Sequence, residues 1–250
     1  MIILMPGTPR RRHRVAGSRY CPCNTIERGP DVGIEIPPVV WIGTGLLAFT
    51  AGVVNAVGYL GYEQHAFSHM TGTISLASMA AGQARWNVVQ QLLSIVLGFV
   101  AGSYLAGLLL RERDLSYAYV WLLSAEAVCL LASGFLLASG NALGACLAAA
   151  GCGLQNAMTS FYSGSAIRTT HLTGFFTDLG LVLGQATRGG SWPRRRVSMW
   201  LLVLVAFGGG GVVATVLFDD MGFFTLALPA AIAGACAAGL ALHLSRSRRR

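Results

Sequence analysis

Residues 51–73 read AGVVNAVGYLGYEQHAFSHMTGT, and residues 152–175 read CGLQNAMTSFYSGSAIRTTHLTGF. The two stretches share a plan. Gly52-Val-Val-Asn55-Ala56 recurs as Gly153-Leu-Gln-Asn156-Ala157. Ser68-His69-Met-Thr71-Gly72-Thr73 recurs as Thr170-His171-Leu-Thr173-Gly174-Phe175. A third match, Gly82-Gln83 with Gly184-Gln185, keeps the register, at an offset of 101 residues for the first match and 102 for the others. Three matches in register predict two similar halves, about 39–139 and 141–244. Each half should hold a long helix, a short polar segment opening on His-x-Thr-Gly, and two more long helices.

The surrounding composition says what kind of helices these are. Hydrophobic residues make up 54% and charged residues 11%, against a globular norm of roughly 25% charged. Mean hydropathy is +0.60. Such a chain cannot cover a water-facing surface, which excludes a soluble enzyme, a disordered protein and a coiled coil. Its 32 glycines have no G-X-Y period, so it is not collagen. The fold class expected is all-α: a polytopic transmembrane helical bundle of six to eight membrane segments in two repeated halves.

Eight apolar runs support this, at 36–62, 66–84, 86–110, 115–139, 141–162, 172–187, 197–218 and 221–245. A helix needs about 20 apolar residues to cross a bilayer core. The second and sixth runs are short and polar. If they cross, there are eight spans and parallel halves; if they re-enter, there are six spans and inverted halves.

All 18 basic residues are arginines, and they gather in the arm, the loops and the tail. Basic loops mark the cytoplasmic side of a membrane protein. Both topologies then place the N- and C-termini in the cytoplasm of a bacterial cell, with the bundle in the inner membrane. The arginine count is slightly better for re-entrance, leaving Arg85 alone outside. Nucleic-acid binding is excluded on the same distribution. Residues 1–38 hold six arginines and six of the eight prolines. They read as a disordered basic arm, followed by a transmembrane domain at 39–245 and a basic cytoplasmic tail at 246–250.

The chemistry-bearing residues are few. Asn55 and Asn156 lie late in the first long helix of each half, where an amide in hydrocarbon must find a partner. His69, Thr71 and Gly72, with His171, Thr173 and Gly174, open the short segments. Glycine frees the backbone there, and threonine can cap a helix start. An inward-aimed helix N-terminus offers unpaired N–H groups to a ligand. Short, glycine-interrupted segments at matching places in two halves point to a transporter's binding site. The substrate-binding candidates are therefore Asn55, His69, Thr71, Gly72, Asn156, His171, Thr173 and Gly174. Glu126 and Asp178 sit mid-run, where an acid costs about 2.5–3.5 kcal/mol on insertion scales. They are candidates for proton coupling, although Leu228 and Leu76 stand at the matching positions.

No enzymatic motif is present. Gly43-x-Gly45 opens an apolar run rather than a strand–turn–helix, and P-loop, HExxH and GxSxG are absent. The six cysteines form neither a disulfide framework nor a metal-ligand spacing. No catalytic residue, metal or cofactor is expected. Gly98/Gly102, Gly140/Gly144 and Gly180/Gly184 read as helix-packing faces.

At Ala51-Gly52-Val-Val-Asn55-Ala56-Val-Gly58-Tyr59, Phe67-Ser68-His69-Met70-Thr71-Gly72-Thr73, Gly153-Leu-Gln155-Asn156-Ala157 and Thr170-His171-Leu-Thr173-Gly174, the chain resembles a known family. This is the YoaK-like family of uncharacterised bacterial membrane proteins, domain of unknown function 1275. The resemblance covers about residues 40–244 and implies class and location but no substrate. The family more often has Asp at the place of Asn55 and Asn at the place of Thr73. An acid serving there as a protonation site would be missing from this chain.

The function these observations favour is a small-molecule transporter or permease with a polar site between the halves. The alternative is a non-transporting membrane scaffold or partner subunit, which the small-residue packing faces suit. The partners expected are the lipid bilayer and an unidentified small-molecule substrate, with a homo-oligomer left open.

Overall fold

A computed structural model of the chain describes residues 37–62, 65–164 and 168–247. The basic arm lies outside the described residues except for Pro37 and Pro38, as do residues 248–250 of the tail. Among the described residues the chain is helical, with no strand. The helices are α1 (Pro38–Gly61), α2 (Met70–Gly82), α3 (Trp86–Leu109), α4 (Tyr117–Ala138), α5 (Leu143–Ser163), α6 (Leu172–Thr187), α7 (Arg194–Met221) and α8 (Ala227–Ser247). A single 3-10 turn, Gly222–Leu226, joins α7 to α8.

The boundaries follow local chemistry. Pro37 and Pro38 open α1, where the missing N–H costs nothing and the fixed φ suits the first turn. α5 stops at Gly164, whose φ of 60° is the left-handed conformation that ends many helices.

By length and composition α1, α3, α4 and the run Arg194–Ser247 can cross a membrane. Their outward faces are apolar, as Leu97, Trp121, Val205 and Val212 show, and lipid is the solvent that makes such faces cheap. α5 is less apolar because it carries Gln155 and Asn156. It packs on α3 and α4, and much of it is buried. α2 and α6 have 13 and 16 residues, so they rise only about 20 and 24 Å at 1.5 Å per residue.

Two core clusters fix the helix directions. Leu47, near the start of α1, packs in one cluster with Leu110, Tyr119, Met158 and Leu240. These lie at the end of α3, the start of α4, the end of α5 and the end of α8. Val57, near the end of α1, packs in the other with Ile95, Leu137, Ala145, Ala214 and Leu226. α1 is therefore parallel to α4 and α7, and antiparallel to α3, α5 and α8. Because α1 and α3 run oppositely, the segment between them leaves and returns on one side. α5 and α7 also run oppositely, so the segment holding α6 does the same on the other side. The segments holding α2 and α6 therefore sit at opposite ends of the bundle, an arrangement the sequence leaves open because both topologies bury similar runs.

Two close helix crossings tie the bundle together. A Cβ built on Gly52 of α1 would lie 2.0 Å from the Phe207 carbonyl oxygen of α7, and one on Gly210 would lie 2.1 Å from that of Phe49. In the α3–α5 pair, a Cβ on Gly102 would lie 2.0 Å from the Ala150 carbonyl oxygen and one on Gly153 2.1 Å from that of Phe99. Only glycine permits such backbone contact. Gly98 joins the same face, its Cβ position 2.3 Å from the Cys146 carbonyl oxygen.

Two of the three expected packing faces need correction. Gly180 and Gly184 have nothing within 4 Å of a built Cβ, because they look away from the bundle. Gly140 has a φ of 76° and open space around it, so it serves a turn. Gly144 does pack, against Ser133 and Leu137 of the adjoining α4.

Candidate functional site

The ends of α1 and α5 hold the segments that lead into the short helices. Asn55, buried in α1, accepts the backbone N–H of Ser68 on Oδ1 at 3.1 Å. Its Nδ2 donates to Ser68 Oγ and to the Ala51 carbonyl, both at 2.7 Å. Asn156 of α5 donates to Thr170 Oγ1 and accepts from Thr169 Oγ1 at 3.3 Å. In both halves an asparagine late in a long helix thus ties down the residues just ahead of the histidine. Each amide thus bonds from its long helix to the loop that leads into the short one.

Gln155 adds a link between α1 and α5. Its Nε2 donates to the Leu47 carbonyl and to Thr169 Oγ1, each at 2.7 Å, while Thr50 donates to its Oε1 at 2.9 Å. Every member of this network is buried, so an apolar replacement would strand polar groups at about 1–3 kcal/mol each.

His69 and His171 are the N-cap residues of α2 and α6, with similar backbone angles (φ −89°, ψ 70° and φ −95°, ψ 59°) and no side-chain cap hydrogen bond. The threonines do not cap these starts. Thr71 and Thr173 lie inside the first turn, and Thr73 Oγ1 donates to the His69 carbonyl at 3.1 Å. The paired glycines make room for the imidazoles. A Cβ on Gly72 would lie 2.4 Å from His69 Cδ2, and one on Gly174 would lie 2.5 Å from His171 Nδ1.

The two starts meet. A cavity of about 440 Å³ is lined by Ser68, His69 and Thr71 from the first half and by Asn156, Thr170, His171 and Thr173 from the second. Phe99 and Ser103 of α3, Ser160 of α5 and Arg168 complete the wall. Phe99 sits at the α3–α5 crossing, so the cavity lies partway along the spanning helices. A neighbouring cavity of about 430 Å³ shares Arg168 and His171 and adds Gly174, Asp178, Arg196 and Trp200.

The sequence-derived candidates divide accordingly. His69, Thr71, Asn156, His171 and Thr173 share the central cavity. Asn55 stands behind Ser68 and Gly72 behind His69, so neither lines it. Gly174 and Asp178 border the neighbouring cavity. Glu126 is 1% exposed, its Oε2 has no hydrogen-bond partner, and it lines neither polar cavity. Of the two mid-helix acids, only Asp178 borders one of these polar cavities. Ser68, Ser103, Ser160 and Arg168 were missed. Arg168 was countable only as a loop charge, although it stands three residues before His171.

A third cavity, of about 390 Å³, lies among the starts of α1 and α4, the end of α5 and α8. Its walls are apolar apart from groups such as Thr44, Tyr119 and Thr159, and lipid tails suit such a lining. Among the described residues no three His, Cys, Asp or Glu side chains converge as a metal site requires.

The long apolar helices and the polar cavity shared by the starts of α2 and α6 define a polytopic membrane protein. The chain belongs to the family described as protein of unknown function (DUF1275), whose model matches residues 44–239. A curated relative is the UPF0700 transmembrane protein YoaK of Bacillus subtilis (strain 168), 35% identical over 69 residues. That alignment covers 28% of this chain and 31% of the relative, so it spans less than a third of the relative's length. No solved structure matches.

Proposed function

We propose that the protein is a small-molecule transporter or permease of the bacterial inner membrane, built as two inverted repeats with its substrate site in the cavity between α2 and α6. The observation that carries this reading is the meeting of two re-entrant helix starts, approached from opposite faces, at one polar cavity. Irregular backbone at membrane depth is tolerated where it lines a cavity or is buried in protein, and such broken segments bind substrate in many transporters. The repeat reading is supported by the paired crossings. Gly52 with Phe207 corresponds to Gly153 with Phe99, and Gly210 with Phe49 corresponds to Gly102 with Ala150.

The site residues are Ser68, His69, Thr71, Asn156, Thr170, His171 and Thr173, with Asn55, Gly72 and Gly174 shaping them from behind. Asp178 borders the neighbouring cavity, so we assign coupling to Asp178 in preference to the sealed Glu126. The scaffold reading has the glycine crossings in its favour, but it leaves the cavity without use.

Metabolite uptake compared between cells with the wild-type protein and cells with Thr71→Val/Thr173→Val tests the transport reading. Loss of uptake of at least one solute, with equal amounts of protein in the membrane, supports it. Identical profiles for wild type, variant and protein-free cells sink it. In the proposed orientation both termini are cytoplasmic, and an Arg85→Cys variant is labelled by an impermeant thiol reagent from the periplasm. Labelling only from the cytoplasm overturns that orientation.

A further inference from the structure

We infer that the central cavity binds a small oxyanion, a carboxylate or an inorganic oxyanion, with Arg168 as its charge partner. This deepens the transport reading and rests on it for passage across the membrane, though not for binding. The first ground is the charge inventory. Among the described residues that line the cavity, Arg168 is the one Arg, Asp or Glu. Among the described residues Arg168 makes no ion pair. Its side chain is exposed on the cavity wall, and a bound oxyanion would give the guanidinium a charge-assisted partner.

The second ground is the backbone. α2 and α6 both begin at this wall, and neither start is closed by a side-chain cap. Each helix start carries roughly half a positive charge, and here two of them add on one space. A cation would meet Arg168 and both positive ends with no acid among the cavity's described lining residues to offset them. A neutral solute would leave the guanidinium uncompensated.

The third ground is donor chemistry. Thr71, Thr173 and Ser160 bring hydroxyls to the wall, and the guanidinium fork fits two oxygens of one oxyanion. The volume, about 440 Å³, lies in the range of small-molecule sites. Arg168 is also shared with the neighbouring cavity, which Arg196 and Asp178 line with it. The anion would thus stay beside the same guanidinium when moving between the two spaces, while Asp178 opposes its escape.

The test uses the full chain in lipid nanodiscs, with thermal unfolding followed by intrinsic tryptophan fluorescence. The probes are acetate, succinate, inorganic phosphate and sulfate, each against sodium chloride at equal ionic strength, with tetramethylammonium and glycerol as the cationic and neutral comparators. At least one oxyanion should raise the midpoint dose-dependently, and the comparators should not. The carboxylate and inorganic arms tell the two sources apart. Arg168→Gln should weaken the apparent affinity at least tenfold, Arg168→Lys less, and Arg85→Gln, at the far end of α2, not at all. No stabilisation by any of the four oxyanions overturns the inference, as does unchanged affinity in Arg168→Gln. Should Arg168→Gln fail to fold, the wild-type selectivity and Arg168→Lys decide. Flux of the same probes in proteoliposomes separates the two readings. Arg168-dependent binding without flux leaves the anion site standing and removes transport. Flux of a comparator without oxyanion binding removes the anion site and leaves transport.

Discussion

α2 and α6 begin alike and are held differently. Both start at a histidine N-cap with a glycine three residues on that clears space for its ring. Beyond that first turn they part. α2 packs along α3 and buries Thr73, Ala77 and Ala80. α6 buries Phe175 alone, stacked on Trp200 at 6.4 Å between centroids, with Leu179 and Val182 partly covered. The shape of the site is therefore set by local sequence, while the anchoring of each wall is set by tertiary packing. A helix with few buried contacts opens at lower free energy than its neighbours, so α6 is the wall that moves more readily.

The strongest challenge to this comparison is Phe175→Ala. Removing a buried phenylalanine typically costs about 3–5 kcal/mol, and here the loss falls on the docking of one short helix. Hydrogen exchange should show 172–187 losing protection while 70–82 keeps its own. Equal loss in both segments would break the comparison.

A smaller difference separates the two asparagines. Asn55→Ala strands the buried Ser68 N–H and should cost about 1–3 kcal/mol, read as a lower unfolding midpoint. Asn156 is only partly buried and bonds hydroxyls that can turn elsewhere, so Asn156→Ala should cost under about 1 kcal/mol. Equal costs would show that the segments leading into α2 and α6 are anchored alike.

The smallest effect on stability is expected from Gly72→Ala and Gly174→Ala. Alanine improves helix propensity by about 1 kcal/mol over glycine in a helix interior, which offsets the push on the imidazole. The unfolding midpoint should hardly change, while uptake should fall about fivefold, roughly 1 kcal/mol, in both variants. A fall in only one of them would mean that the two histidines do unequal work.

Much of this was legible in the chain. The apolar runs gave the helices, with α6 at 172–187 in both readings, and the repeated His-x-Thr-Gly pointed at the cavity. The choice between crossing and re-entrance was not legible, because it depends on which helix ends share a core layer. Arg168 was hidden for a related reason. A loop arginine looks like a topology signal until folding sets it in the wall of a cavity. Glu126 shows that a central position in a run does not tell which neighbours close over it. Gly180 and Gly184 have the spacing of a packing face, but spacing alone does not supply a partner helix.

The two glycine crossings also set a timetable for biosynthesis. The α3–α5 crossing can close once α4 has been made between its partners. α1 must wait for α7, with five helices emerging from the ribosome in between. Throughout that interval the Gly52 face of α1 has no backbone to receive it, and incomplete chains with unpaired surfaces are where misassembly begins. A chain released before α7 would carry a formed α3–α4–α5 unit and an orphaned first helix, the state a membrane quality-control protease would meet.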